Sequence, residues 1–367
     1  MIEDSLRLIV LDSSKDLGES VNNYIKKVRN TEKDYIVSTN IVRFANGEGK
    51  VVLNESIRDK NVYILADVGN HSCTYKLYGY ENHKSPDDHF QDIKRVISAI
   101  KGHASSVNIV MPLLYSSRQH KRKGRESLDC AVALQELERL GINTIITFDV
   151  HDPNVRNAIP CMPFENFYPT CTMLSDFGKN EQVDYNNLIV ISPDTGAMDR
   201  ARYYADILKC DVGMFYKRRD LSVVIDGKNP IIAHEYLGKD VKDKDIIVID
   251  DMIDSGGSML EVVEELNKRG ARKVFLFSTF ALFSKGVDKF NEYYKKGMFE
   301  KLYTTNLTYI RSEAKESEWL KEVDCSEYLG IIIDTLDKHN SISPLMDGRE
   351  KVFSKVHKYI PVKKSLN

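Results

Sequence analysis

Asp250, Asp251 and the run Ser255-Gly256-Gly257-Ser258 are the residues whose types and spacing most directly invite chemistry. The acids follow four apolar residues, Ile246 to Ile249, which read as a strand buried on both faces of a parallel sheet. Open α/β sheets place their ligands at the carboxyl ends of such strands. The Ser-Gly-Gly-Ser turn leads into a helix whose apolar positions continue through Val262, Val263 and Leu266. Backbone N–H groups, two hydroxyls and a helix N-terminus together make a phosphate cradle. Carboxylates beside it repel phosphate, so they suit sugar hydroxyls or a bound cation. A phosphate loop next to such acids suggests a phosphorylated ribose. The competing reading is plain α/β punctuation, a strand ending in acids before a serine-rich cap.

Three more clusters sit at predicted strand ends. Arg118, Lys121, Arg122, Lys123 and Arg125 put five cations into eight residues, which suits a polyphosphate but equally a solvated face. Asp149-Val150-His151 and Ser192-Pro193-Asp194 follow two further strands. His151 and Asp194 together suit a hard cation such as Mg²⁺, which takes few protein ligands and keeps waters. A lone histidine is more often structural. The polar stretch Gly69–Asp92 holds His71, His83, His89, Asp87 and Asp88 in no metal-binding spacing, so a solvated loop is expected there.

Positioning these groups requires a repeated strand-and-helix plan. Strands are predicted at Leu6–Leu11, Asn61–Val68, Val107–Leu114, Thr144–Val150, Leu188–Ile191, Val212–Tyr216, Ile246–Ile249, Val274–Thr279 and Leu302–Thr305. Helices are predicted at Ser20–Arg29, Phe90–Ile100, Leu128–Leu140, Ala197–Leu208, Met259–Arg269 and Gly286–Tyr294. Such alternation argues for an α/β protein of mainly parallel sheets flanked by helices. The proline-bearing region Asn154–Tyr185 reads as an irregular join between two such units. Length (367 residues) suits two domains. A hydrophobic content of 42% and a net charge of -2 give no support for a nucleic-acid binder. No apolar run approaches a membrane span, Met1-Ile2-Glu3-Asp4 does not read as a signal peptide, and six scattered cysteines suggest neither zinc nor a disulfide framework. A cytoplasmic protein is expected.

Taken in order, the clusters carry a resemblance. Arg43-Phe44-Ala45-Asn46-Gly47-Glu48, Tyr115-Ser116-Ser117-Arg118-Gln119, Asp149–His151 and Ser192–Asp194 come first. Lys217-Arg218-Arg219, the acid pair with its turn, and Ser341-Ile342-Ser343 follow. From about Ile9 to Met346 this series resembles the ribose-phosphate diphosphokinases, or phosphoribosyl diphosphate synthetases. Their halves share the type I phosphoribosyltransferase fold. The resemblance implies two tandem domains, 1–165 with ATP-binding loops and 166–346 with the ribose 5-phosphate loop, and then a basic tail, 347–367. It implies transfer of the diphosphoryl group of Mg-ATP to the C1 hydroxyl of ribose 5-phosphate, with release of AMP.

By the same resemblance Ser255, Gly256, Gly257 and Ser258 hold the 5-phosphate. Asp250, Asp251 and Asp254 address the ribose hydroxyls and their Mg²⁺. His151 and Asp194 correspond to the Mg-ATP site, and Arg118, Gln119 and Arg125 to ATP-binding residues. Phe44, Asn46 and Glu48 match a loop that reaches adenine from a neighbouring subunit, so a dimer-based homo-oligomer, up to a hexamer, is expected. Lys217 and Arg219 match a mobile catalytic arm, with His151 as the third catalytic residue. The chain departs from the pattern at His120, where Asp is usual, and at Ser255 and Ser258, where Thr is usual. The Gly69–Asp92 stretch is also longer than expected. Two alternatives stay open: a non-catalytic homologue that regulates a partner synthetase, and a phosphoribosyltransferase.

Overall fold

Ile246 and Val248 pack on one face of a sheet, while Ile247 and Ile249 pack on the other. A strand with this sequence is therefore stable only between two layers of helices. The computed structural model describes residues 5–100, 102–122, 124–219 and 231–346, which fall into two compact units. The first unit runs through Pro169 and regains Asn306–Tyr309 and the stretch from Asp324; the second holds the remainder. The tail 347–367 lies outside the described residues.

The first unit contains strands β1 (Leu6–Val10), β2 (Thr39–Arg43), β3 (Gly49–Leu53), β4 (Asn61–Leu65), β5 (Thr74–Leu77), β6 (Tyr80–His83), β7 (Ser106–Val110), β8 (Thr144–Phe148) and β9 (Phe164–Phe167). Its sheet is parallel throughout, in the order β1-β4-β7-β8-β9. β2 and β3 form one antiparallel ribbon, and β5 and β6 another. Helices α1 (Lys15–Val28), α2 (Pro86–Ile100) and α3 (Asp129–Arg139) complete the early part.

The second unit adds α4 (Thr170–Asn180), β10 (Leu188–Ser192), α5 (Met198–Leu208), β11 (Asp211–Arg219), β12 (Ile231–Leu237) and β13 (Asp245–Ile253). After these come α6 (Gly257–Lys268), β14 (Lys273–Ala281), α7 (Asp288–Lys295), β15 (Lys301–Thr305), α8 (Ser312–Lys315) and β16 (Leu320–Val323). The sheet order is β12-β11-β10-β13-β14-β15-β16, and only edge strand β12 is antiparallel. α6 and α7 supply Val262, Leu266 and Phe290 to the core on one face. α4 and α5 supply Phe177, Leu174 and Tyr204 to the other.

Helix α9 (Ser326–Asp337) returns to the first unit. Arg29 of α1 clamps it, with Nε 2.6 Å from Asp334 Oδ1 and Nη2 2.8 Å from Asp337 Oδ2. Three local expectations are corrected. Asn154–Tyr185 is not irregular throughout, because it contains β9 and α4. Gly69–Asp92 is not a plain loop, because it folds into the β5–β6 ribbon and the start of α2. Asp250 and Asp251 do not follow their strand but lie within it, and Asp250 still pairs with Ser278.

Candidate active site

β10 is flanked by β11 on one side and by β13 on the other. The connections from it diverge there, and at such a switch point the carboxyl ends of the strands leave a crevice. β13 outruns β10, whose last partner along it is Val248. Asp250 and Asp251 thus stand past the end of β10, on the side where Ser192-Pro193-Asp194 leaves it. Asp194 shapes its own turn: its Oδ1 accepts the N–H groups of Gly196 (2.8 Å) and Ala197 (3.2 Å).

The acid pair is electrostatically strained. Burial and the adjacent Asp251 push the Asp250 carboxyl well above the usual carboxylate range; Arg200 pulls it back and Asp194 adds to the rise. Arg200, in the first turn of α5, brings Nη1 to 4.0 Å from Asp251 Oδ1. Two carboxylates and a third acid nearby, offset by one guanidinium, fit a hard cation that takes a few carboxylate oxygens and keeps its waters. Among the described residues no group of three or more His, Cys, Asp or Glu converges as a ready-made metal site.

Past β13 the chain turns through Asp254 and Ser255 to Gly256, which caps α6 with φ +76°. A Cβ there would meet the Phe290 ring at 2.4 Å, so both backbone sign and space require glycine. The turn leads into a twelve-residue helix whose first N–H groups have no partner within the helix, and the capping glycine brings no side chain to them. Gly257 opens α6, two residues earlier than the apolar pattern predicts.

In the first unit, Phe44, Asn46 and Glu48 are exposed on the tip of the β2–β3 ribbon. That tip closes by Phe44 N–H to Glu48 O (2.8 Å) and Gly47 N–H to Phe44 O (2.9 Å), with Gly47 at φ +90°. Arg118, Gln119 and Arg125 are exposed on the loop after β7. Ser116 turns the start of this loop in a left-handed conformation, at φ +52°. His151 is exposed after β8, and its ring lies 5.2 Å from that of His120. His120 Nε2 stands 3.3 Å from Asp152 Oδ2. Burial lowers the His120 pKa, with His151 and Lys121 adding to the drop against Asp152.

Each unit thus gathers part of the expected set. The adjacent Asp250 and Asp251, with Asp194 close enough to add to the Asp250 rise, belong to the second, while His151, the Arg118 loop and the Phe44 loop belong to the first. Lys217 and Arg219 occupy the last turn-free part of β11, opposite His234 and Ile231; their side chains lie outside the described residues.

Comparison with known proteins places this geometry. The profile described as the N-terminal domain of ribose phosphate pyrophosphokinase matches residues 6–141, and that of the phosphoribosyl transferase domain matches 175–310. The ribose-phosphate pyrophosphokinase of Nitrosomonas europaea is 28% identical over 309 residues, 83% of this chain and 89% of that one. Ribose-phosphate pyrophosphokinase 1 of Streptococcus pneumoniae is 27% identical over 350 residues, 95% of this chain and 98% of that one. The chain belongs to the ribose-phosphate pyrophosphokinase family. In fold it matches the phosphoribosylpyrophosphate synthetase of Mycobacterium smegmatis, with a TM-score of 0.74 at 22% identity over 92% of this chain and all of that one.

Within this pyrophosphokinase framework two contacts were not legible in the sequence. Arg200 shows no motif of its own; its only signal is a cation six residues past a strand-end acid, Asp194. The His120–Asp152 pair joins residues 32 positions apart, and only an unexpected histidine beside a basic run marked the spot.

Proposed function

We propose that the protein transfers the diphosphoryl group of Mg-ATP to the C1 hydroxyl of ribose 5-phosphate, yielding 5-phosphoribosyl 1-diphosphate and AMP. The observation that carries this reading is the strained Asp250–Asp251 pair beside a glycine-capped helix N-terminus at the sheet's switch point. That arrangement suits a ribose diol next to a phosphate. In the transfer the C1 oxygen bonds to the β-phosphorus, the bond from that phosphorus to the α–β bridging oxygen breaks, and AMP leaves with that oxygen. The C1 hydroxyl gives up its proton.

Ser255–Ser258 bind the 5-phosphate through backbone N–H groups and hydroxyls. Asp250, Asp251 and Asp254 orient the ribose hydroxyls. Phe44, Asn46, Glu48, Arg118, Gln119 and Arg125 hold ATP, and Lys217, Arg219 and His151 act on the transferring group. Mg²⁺ held by His151 in the first unit, and by Asp194 and the acid pair in the second, would supply charge neutralisation on the phosphates. Positioning and charge complementarity supply most of the catalysis in transfers of this class. The domain division at 165/166 is proposed as the order of the nucleotide-binding and ribose-phosphate parts along the chain. None of the six cysteines is joined in a disulfide, which suits a reducing, cytoplasmic setting. Among the described residues no helix is long and apolar enough to cross a membrane. A dimer-based homo-oligomer remains part of the proposal.

The test is AMP formation from ATP and Mg²⁺ with and without ribose 5-phosphate. AMP that appears only with the sugar is the expected result. ADP in its place would mean transfer of one phosphoryl group and would defeat the reading. ATP binding without turnover would point to a regulatory homologue.

A further inference from the structure

The stretch Gly69–Asp92 is not absorbed by the chemistry above, yet its contacts reach both nucleotide-facing loops of the first unit. Asp92, on α2, is fully buried and surrounded by three cations. Arg43 Nη2 lies 3.0 Å from each of its oxygens, Lys84 Nζ 3.1 Å from Oδ2, and Arg95 Nη1 2.7 Å from Oδ1. Burial alone would raise the Asp92 pKa, but Lys84 and Arg43 overcome it and hold the carboxyl below its ordinary value. Arg43 is the residue just before Phe44, and its Nη1 donates to Gly47 O at 3.2 Å. One guanidinium therefore ties the tip of the β2–β3 ribbon to a buried charge on α2. The β5–β6 ribbon braces the same tip: Tyr78 N–H donates to Ala45 O at 2.7 Å, and the Arg43 guanidinium lies 5.0 Å from the Tyr75 ring centroid.

The other loop is held from the first turn of the same helix. Tyr115, three residues before Arg118, donates its hydroxyl to Asp87 Oδ1 at 2.6 Å. Its ring stacks on Phe90, with centroids 4.4 Å apart and planes 12° from parallel. A charge-assisted bond combined with a ring stack fixes both the direction and the roll of that side chain.

We propose that the start of α2 is the common support of the two nucleotide loops. Asp92 positions Phe44–Glu48 through Arg43, and Asp87 positions Arg118 and Gln119 through Tyr115. Both acids are positioning residues that do not themselves touch nucleotide. The inference rests on the reading of those loops as ATP-binding.

The test compares Tyr115→Phe and Asp92→Asn with the unaltered protein by calorimetric titration with ATP, alongside the KM for ribose 5-phosphate and the melting midpoint. Tyr115→Phe keeps the stack and deletes the hydroxyl's bonds to Asp87 and to the neighbouring Ser116. Weakening of ATP binding by about three- to tenfold is expected in each variant, the range of one ordinary hydrogen bond, because only part of the lost positioning is felt at the nucleotide. The KM for ribose 5-phosphate should stay unchanged, as should the midpoint of Tyr115→Phe. If Asp92→Asn does not fold, Arg43→Lys replaces it; that change keeps a cation on Asp92 but removes the fork spanning Asp92 and Gly47. Unaltered ATP affinity in the variants overturns the inference, and so does a parallel loss of ATP affinity, ribose-phosphate KM and midpoint, which would mark general loosening. A parent protein that binds ATP but forms no AMP defeats the functional reading alone, because the affinity comparison still decides the inference. A parent that binds no ATP defeats both.

Discussion

Asp67 offers a sharp test of burial against hydrogen bonding. It lies two residues beyond β4 and is almost wholly excluded from solvent. Its Oδ1 accepts the Gly69 N–H and the Thr308 hydroxyl, both at 2.9 Å, and its Oδ2 accepts the Tyr309 N–H at 2.7 Å. Burial pushes its pKa from 3.8 up to about 6, even though all three bonds pull it down. A rise of that size corresponds to about 3 kcal/mol. Because the folded protein binds this proton more tightly, the stabilisation is complete below about pH 4 and is lost as pH climbs through about 6. Asp67→Asn carries no such proton, and any offset from its altered bonds does not vary with pH.

The stability of the wild-type protein relative to Asp67→Asn should therefore fall by about 3 kcal/mol between about pH 4 and pH 7.5. That is roughly a hundredfold in the opening equilibrium. Hydrogen–deuterium exchange at the β4 and β7 amides is the suitable assay, because Trp319, the single tryptophan, belongs to the other unit. Comparing the two proteins at each pH cancels intrinsic exchange. Parallel protection curves would refute the argument. A reversed slope would mean that the bonds from Gly69, Thr308 and Tyr309 outweigh burial, so that the site is built for the carboxylate.

Three further outcomes are expected. Asp250→Asn should weaken ribose 5-phosphate binding in calorimetry while raising ligand-free stability by about 1 kcal/mol at neutral pH with chelator present, since it relieves like-charge strain. Asn keeps an oxygen for the 2.9 Å bond from Asp251 N–H, so a lowered melting point would sink this account. Gly256→Ala should cost about 2–4 kcal/mol from left-handed backbone strain and the collision with Phe290, read by chemical denaturation; a neutral result would mean the turn can rearrange. Lys217→Ala should depress kcat more than KM if the side chain acts on the transition state, and steady-state kinetics that moved only KM would make it a ground-state binder.

Much of the fold was written locally. Apolar, β-branched runs marked nine of the twelve described strands of the two larger sheets but missed β9, β12, β16 and both ribbons, and the register of apolar positions marked α1–α3 and α5–α7. Where local preference opposed the structure, the pattern was silent. α9 carries Ile331-Ile332-Ile333, three β-branched residues in a row, and is helical because it packs on α1 and is clamped by Arg29. α4 begins Thr-Cys-Thr and contains Gly178, all weak helix formers, and is held by burying Met173, Leu174 and Phe177.

By itself the sequence determined that the serine-glycine turn, the basic loop and His151 follow strands, while it put the acid pair just past a strand that in fact contains both acids. A double-faced apolar strand and a Ser-Gly-Gly-Ser turn into an amphipathic helix are one-dimensional signals, and each needs only its neighbours in the chain to be read. Tertiary structure alone decided which charges meet. Arg200 beside Asp251 is 51 positions away, Asp92 under Arg43 is 49 away, and Asp67 under Thr308 is 241 away. Periodicity tells which face an element buries, not which partner that face will find. The pKa of a buried acid is set by that partner.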